Sequence, residues 1–107
     1  MRNASPVPAA IKSPKARCAA DCDRLEQLPN IGPSVAALLR RIGIEHPRDL
    51  RHADPLALYR RLCEATGRRQ DPCVLDTFLA ATDFMQGAAP APWWAYTAQR
   101  KATFGVT

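Results

Sequence analysis

The chain of 107 residues is 47% hydrophobic, which fits one domain with a single small core and excludes a two-domain enzyme. Its longest uninterrupted apolar run, residues 35–39, is far shorter than the roughly 20 residues of a membrane helix. The N-terminus lacks the apolar segment of a signal peptide. We therefore expect a cytoplasmic protein without a membrane partner.

The net charge of +5 is unevenly distributed. Residues 24–69 hold nine arginines against five acidic residues, whereas residues 70–99 hold three aspartates and no basic residue. Such a basic half points to nucleic acid as one class of partner. The first 20 residues add four basic residues and no acidic one: Arg2, Lys12, Lys15 and Arg17.

The chain divides into three predicted segments. Residues 1–20 contain three prolines and no apolar periodicity, which predicts a disordered basic arm. Residues 21–87 form the domain. Residues 88–107 begin with an Ala-Ala-Pro-Ala-Pro linker and include Trp93 and Trp94, which we expect to pack on the domain because two indoles expose much apolar area. The alternative is a surface for a protein partner or for stacked bases.

Apolar residues between residues 21 and 87 recur at helical spacing, and no stretch alternates as a strand does. Prolines mark helix starts after the capping residues Asp54, Asp71, Gly32 and His46, and Asp23 with Glu26 three residues later suggests a capping box. Glycines 43 and 67 follow two of these helices as left-handed caps. The predicted class is all-α, with five helices at about 22–28, 34–42, 47–52, 55–66 and 72–86.

The segment 28–36 carries the most functional information. It reads Leu-Pro-Asn-Ile-Gly-Pro-Ser-Val-Ala and resembles the helix-hairpin-helix motif, in which two short helices flank a tight Gly-hydrophobic-Gly turn. In this resemblance the Ile31 side chain fills the interior of the hairpin, and Gly32 stands at the start of the second helix. The small Ala36 lets the two helices approach each other. Asn30 replaces the first glycine. Asparagine tolerates the left-handed conformation, but its side chain is expected to occupy space beside a bound phosphate.

The motif implies contact with a DNA phosphate through backbone amides, without base reading. Binding of a phosphate at this position is also expected without the resemblance, because a helix N-terminus has unpaired amides and a partial positive charge. Two alternatives stay open: a hairpin used only for packing or protein contact, and a helical adaptor that binds a protein through the Trp93-Trp94 face. The adjacent arginines at 40–41, 60–61 and 68–69 are also typical of a solvated surface at helix C-termini. The predicted phosphate-binding residues are Asn30, Gly32, Ser34, Val35, Arg40 and Arg41.

A longer set of residues resembles one protein family. Over about residues 22–96 the chain is similar to the small bacterial pathogenicity-locus proteins, some of which are called mitomycin resistance proteins. It is distantly similar to the C-terminal domain of the TfoX competence regulators. Both imply a five-helix, SAM-like bundle with one helix-hairpin-helix motif, which suits a role in DNA repair or stress resistance. The resemblance rests on the hairpin segment and on Asp49-Leu50, Asp54-Pro55, Leu58-Tyr59, Leu62-Cys63, Gly67, Asp71 to Leu75, Phe78 and Trp93-Trp94.

Catalytic and metal-binding patterns are weak. The two histidines stand in no Ser-His-Asp order, and neither a Gly-x-Ser-x-Gly turn nor a phosphate loop occurs, so we expect no enzyme and no cofactor. Cys18 and Cys22 have a spacing that occurs at zinc sites. Because Cys63 and Cys73 lie far away and suit helix packing as small apolar residues, we expect no structural metal.

Overall fold

A computed structural model describes residues 14–105 and shows an all-helical chain in that range. The predicted all-α class is therefore confirmed. The four α-helices are α1 (Pro33–Arg41), α2 (Pro55–Thr66), α3 (Pro72–Met85) and α4 (Thr97–Phe104). Short 3₁₀ turns lie at Ala19–Asp21, Leu25–Gln27, Pro47–Leu50 and Trp93–Tyr96. No helix in the described range is long and apolar enough to span a membrane.

Helices α2 and α3 begin where the Asp-Pro pairs predict. The Asp54 carboxylate accepts hydrogen bonds from the amides of Leu56 (2.9 Å) and Ala57 (3.4 Å). The Asp71 carboxylate accepts one from the amide of Cys73 at 2.9 Å, and this bond lowers the pKa of Asp71. Gly67 ends α2 with φ of 69°, a left-handed conformation that glycine adopts without a steric penalty.

The predicted count of five helices is wrong, and the first difference is at residues 22–28. Only Leu25–Gln27 is helical there, as a single 3₁₀ turn. Leu28 is extended, with ψ of 148°, because the Pro29 ring disfavours helical geometry in the residue before it. The expected capping box also differs: Gln27, not Glu26, reaches back, and its side-chain oxygen accepts from the amides of Asp23 (2.8 Å) and Arg24 (2.9 Å).

Two further differences lie later in the chain. The helix predicted at 47–52 is a 3₁₀ turn at Pro47–Leu50, because few residues remain before the Asp54-Pro55 start of α2. Conversely, α4 was not predicted. Its residues favour helix without forming an apolar stripe, so its position depends on a contact with α3.

That contact is a buried ion pair. The Arg100 guanidinium donates from Nε to Asp76 Oδ1 at 2.7 Å, and the Thr97 hydroxyl donates to Asp76 Oδ2 at 2.8 Å. Asp76 is 0% exposed and Arg100 5% exposed. A buried carboxylate needs such partners, so this ion pair attaches α4 to the domain.

The core is centred on α3, which is buried along most of its length and packs against α2, α4 and the turn at Pro47–Leu50. Apolar side chains from α1, α2 and the 25–31 segment complete one cluster. Its fully buried large members include Phe78, Phe84, Leu25, Leu28, Ile31, Leu39, Leu50, Leu62 and Leu75. The segment that precedes α1 is therefore held by the same core as the long helices.

Residues 14–20 pack against the domain instead of belonging to the predicted disordered arm. Ala16 is buried, and its amide donates to the carbonyl of Gln27 at 3.0 Å. A short apolar residue and one backbone hydrogen bond give no periodicity signal, which explains the error. The rest of the predicted arm, residues 1–13, lies outside the described residues.

The two indoles of the C-terminal segment differ in exposure. Trp93 is half-buried, whereas Trp94 is 64% exposed, so the expectation that both pack on the domain is wrong for Trp94. Their rings meet edge to face with centroids 5.5 Å apart. This contact gives Trp94 a defined orientation despite its exposure.

Candidate nucleic-acid interface

The segment from Leu28 to Gly32 forms a tight loop before α1, here called the Asn30 loop. Asn30 has φ of 67°, and no other non-glycine residue in the described range has a positive φ. Ile31 is fully buried beneath the loop, as the sequence predicted. Gly32 is extended and immediately precedes Pro33, the first residue of α1. The loop therefore turns sharply into the helix and is anchored by one apolar side chain.

The N-terminus of α1 lacks the side-chain cap that α2 and α3 have. Gly32 occupies the capping position and has no side chain, and the first helical hydrogen bond runs from the Ala36 amide to the Gly32 carbonyl at 3.0 Å. The amides of Ser34 and Val35 therefore have no acceptor within the helix. Ser34 is exposed and Val35 half-buried. This end of α1 can offer amide hydrogens and the positive end of the helix dipole to an anion.

The Asn30 side chain is bound to the C-terminal linker. Its amide nitrogen donates to the carbonyl of Ala91 at 2.8 Å. The contact joins two parts of the chain 61 residues apart. Asparagine at this position therefore does two things: it accepts the left-handed conformation and it holds the linker beside the loop.

Both arginines of the predicted site have partners within the chain. Arg40 makes two hydrogen bonds of 3.0 Å to the carboxylate of Glu26, and they lower the pKa of Glu26. Arg41 donates to the carbonyl of Ala65, near the end of α2, at 2.9 Å. The Arg41 partner is neutral, so Arg41 keeps its full charge, whereas Glu26 offsets that of Arg40. Neither partner could be inferred from residue spacing, since each lies on another element.

A basic residue that the sequence did not indicate lies at the Asn30 loop. The Lys15 ammonium donates to the carbonyls of Glu26 (2.9 Å), Leu28 (3.0 Å) and Ile31 (2.6 Å). Lys15 and Asn30 also line an open cavity of about 330 Å³, which is bordered by Pro29 and the linker prolines. Among the described residues, no arginine lines this cavity. The Arg48 and Arg51 side chains line a different groove, together with His46 and Asp23.

The family model of the Cdd1 pathogenicity-locus proteins matches residues 18–102. The chain belongs to this family. It is also 47% identical over 81 residues to a mitomycin resistance protein, McrB, of Streptomyces lavendulae. That alignment covers 76% of this chain and 77% of the relative. No solved structure matches the chain. The matched region of this pathogenicity-locus protein includes the whole Asn30 loop and all but the last two residues of α4.

The cysteines of this family member do not form a metal site in the described range. No group of three or more His, Cys, Asp or Glu side chains is close enough there to hold a metal ion. Burial raises the pKa of the Cys22 thiol to about 11, which opposes thiolate formation. Cys18 is exposed, and Cys63 and Cys73 are half-buried as free thiols.

Two substitutions of Asn30 separate its backbone role from its side-chain role. Asn30→Gly keeps the left-handed turn but loses the hydrogen bond to Ala91, which typically costs about 0.5–1.5 kcal/mol. Asn30→Ala loses the same bond and also places a Cβ in the left-handed region, so we expect it to be less stable than Asn30→Gly by about 1 kcal/mol. Urea denaturation of both variants measures the difference. Equal stability would mean that the φ of Asn30 is not a constraint on the loop.

Proposed function

We propose that this pathogenicity-locus protein is a non-enzymatic helix-hairpin-helix module, in a SAM-like helical domain, that binds the phosphodiester backbone of DNA. One observation carries the proposal: the left-handed Asn30 turn leads into an α1 N-terminus with no side-chain cap. The proposed contacts are the amides of Ser34 and Val35, with Gly32 allowing close approach of the phosphate. A Cβ built on Gly32 would meet no atom of the described residues within 4 Å, apart from its two chain neighbours, so this position is open.

The physical basis favours phosphate over other ligands. Unpaired amides at a helix N-terminus donate to anionic oxygens, and the dipole adds a partial positive charge. Contacts of this kind fix the position of the duplex but carry no base information. Binding is therefore expected to be independent of DNA sequence and to weaken with salt.

The two predicted arginines lie in the last turn of α1, at the opposite end of the helix from the Ser34 and Val35 amides, so a contact from them would be to a different part of the DNA backbone. Arg41, bound to a neutral carbonyl, adds a full positive charge to the exposed face of α1. Arg40 contributes less, because Glu26 lies within 3.0 Å of its guanidinium. A role in stress resistance is part of this proposal and is compatible with the name of the McrB relative.

The decisive experiment adds a negative charge at Ser34. Glutamate in the first turn of a helix is favoured by the dipole, so Ser34→Glu is expected to keep or slightly raise stability. The same carboxylate repels a phosphate. Two unit charges about 4 Å apart interact with about 4 kcal/mol near a protein surface, so DNA affinity is expected to fall by about tenfold or more. Titration of a short duplex and a matching single strand at two salt concentrations measures this loss.

Ala57→Glu is the matched control for Ser34→Glu. It adds the same charge at an exposed position in the first turn of α2, whose N-terminus Asp54 already caps. Both variants keep the basic residues of the first 20 positions, so weak binding by those residues cancels in the comparison. An equal effect of the two substitutions would reject the α1 N-terminus as the site.

The second candidate function is a helical adaptor, and the exposure of Trp94 favours it. An indole that is 64% exposed and oriented by Trp93 is typical of a residue that a protein partner covers. This candidate predicts that Ser34→Glu and Ala57→Glu bind DNA equally, because only the basic residues of the first 20 positions and the general surface charge would then contribute weak, salt-dependent binding. That result in the titration above would replace the DNA proposal with the adaptor.

A further inference from the structure

A groove beside the turn at Pro47–Leu50 brings two arginines and a histidine together. This groove, here called the His46 groove, has a volume of about 410 Å³ and is lined by His46, Arg48 and Arg51. Buried Cys22 and Met85 supply an apolar part of its lining. None of the described residues that line it belongs to the Asn30 loop or to α1. The groove is therefore separate from the proposed phosphate site.

The local backbone directs the two arginines of the groove the same way. The Arg51 amide donates to the Arg48 carbonyl at 3.1 Å, a bond of the 3₁₀ type. Side chains three residues apart eclipse each other in such a turn. Both arginines are exposed, and neither has an ion-pair partner among the described residues. Two neighbouring guanidinium groups offer several planar N–H donors, which suit the oxygens of one phosphate group.

His46 adds a donor that does not depend on its charge. Its Nδ1 accepts a hydrogen bond from the Arg48 amide at 3.1 Å. In a neutral imidazole one ring nitrogen accepts and the other carries the proton, so Nε2 is the donor here. The ring is half-buried and lines the groove. The bond to Nδ1 also fixes the orientation of the ring.

The carboxylates near the groove offset only part of its positive charge. Asp23 lines the groove. Asp49 follows Arg48 in the chain, and its Oδ2 accepts from the amides of His46 (3.0 Å) and Glu45 (3.1 Å). These two bonds lower the pKa of Asp49, and the charge of Arg48 adds a smaller effect. Among the described lining residues two arginines stand against one carboxylate, so the groove favours an anion.

A short stretch of chain connects the groove to the Asn30 loop. Gly87 lines the groove, and the carbonyl of Ala91, four residues later, accepts the hydrogen bond from Asn30. Four residues of fully extended chain span at most about 14 Å. Each strand of a duplex carries one phosphate per roughly 3.4 Å of helix axis, so 14 Å corresponds to about four nucleotides. This distance is short enough for one DNA backbone to contact both places.

We propose that the His46 groove binds a phosphate group and is a second contact with the DNA backbone that α1 holds. The guanidinium groups of Arg48 and Arg51 pair with the phosphate oxygens, and the Nε2–H of His46 donates to one of them. The assignment of this phosphate to DNA rests on the proposed function, whereas the chemistry of the groove suits any phosphate group. Two contacts on one backbone bind more tightly than either does alone.

The first test removes the charge of the groove. Arg48→Met with Arg51→Met changes two exposed side chains, so stability is expected to change little. The control, Arg60→Met with Arg68→Met, removes the same charge from exposed arginines that do not line the groove. Relative to this control, the groove variant is expected to reduce the slope of log affinity for a short duplex against log salt by about one. Equal slopes would overturn the groove as a DNA contact.

The second test uses the two histidines of the chain. Aspartate before proline already begins α2 and α3, so His46→Asp is expected to keep the turn while it removes the Nε2–H and adds a negative charge to the groove. DNA affinity is expected to fall by about fivefold or more relative to His52→Asp, an exposed position outside the groove. Equal affinity would reject His46 as a phosphate ligand. Thermal unfolding checks that both variants are folded, and the arginine variants decide the proposal if His46→Asp is not.

The outcomes distinguish the groove from the proposed function. If Ser34→Glu weakens binding and the groove variants match their controls, the proposed function stands and the groove is rejected. If only the groove variants weaken binding, the N-terminus of α1 is rejected and the groove remains as a phosphate contact. Inorganic phosphate is the probe for another source of the same group. A rise in melting temperature with inorganic phosphate that the double arginine variant loses, with no change in its DNA affinity, would overturn the assignment to DNA.

Discussion

Replacement of Arg100 by methionine is expected to lower the free energy of unfolding by about 3–5 kcal/mol, the usual effect of removing one partner from a buried ion pair. Asp76 is 0% exposed, and its carboxylate would lose the guanidinium at 2.7 Å. The penalty comes mainly from the buried charge that remains. Urea denaturation followed by circular dichroism measures it. Lys101→Met, at the adjacent exposed basic residue of α4, is the control and should change stability little.

A double variant tests this explanation. Asp76→Leu together with Arg100→Met removes both charges, and apolar pairs of similar volume often replace buried ion pairs at little cost. We therefore expect the double variant to be clearly more stable than Arg100→Met alone. If the two variants were equally unstable, the destabilisation would come from lost packing of the arginine stem and not from an unpaired carboxylate.

The second large effect is expected at Ile31, which anchors the Asn30 loop. Ile31 is 0% exposed, so Ile31→Ala should lower the free energy of unfolding by about 2–5 kcal/mol through lost burial and the cavity that remains. Ile31→Val, which removes a single methylene, should cost about 0.5–1.5 kcal/mol. The series is measured by urea denaturation. A small effect of Ile31→Ala would show that the loop can close over the vacated space and that its shape does not depend on this side chain.

These sites show that three separate parts of the chain build the candidate interface. The loop itself contributes Asn30 and Ile31, the N-terminal segment contributes Lys15, and the linker contributes the carbonyl of Ala91. A local motif thus depends on residues far from it in sequence. For this reason the proposed tests use the full chain: deletion of the first 20 residues would remove Lys15 and Ala16 from their contacts.

The sequence by itself determined the features that depend on a few neighbouring residues. The Asp-Pro pairs set the starts of α2 and α3, because the capping carboxylate and the proline act within a few residues. The tight turn at Asn30 and the burial of Ile31 were also predictable, since the conformational tolerance of asparagine and the apolar plug are properties of the segment.

Tertiary structure decided which charges are paired and where residues 14–20 and helix α4 pack. The partners of Arg40 and Arg41 lie on other elements, α4 depends on Arg100 reaching Asp76, and Lys15 reaches carbonyls 11 to 16 residues away. Long basic side chains have no periodicity that predicts their partners. A carbonyl acceptor leaves no trace in the sequence at all, because every residue has one. The partners of Arg40 and Arg41, the position of Lys15 and the contact of Asn30 with the linker therefore followed only from the packed chain.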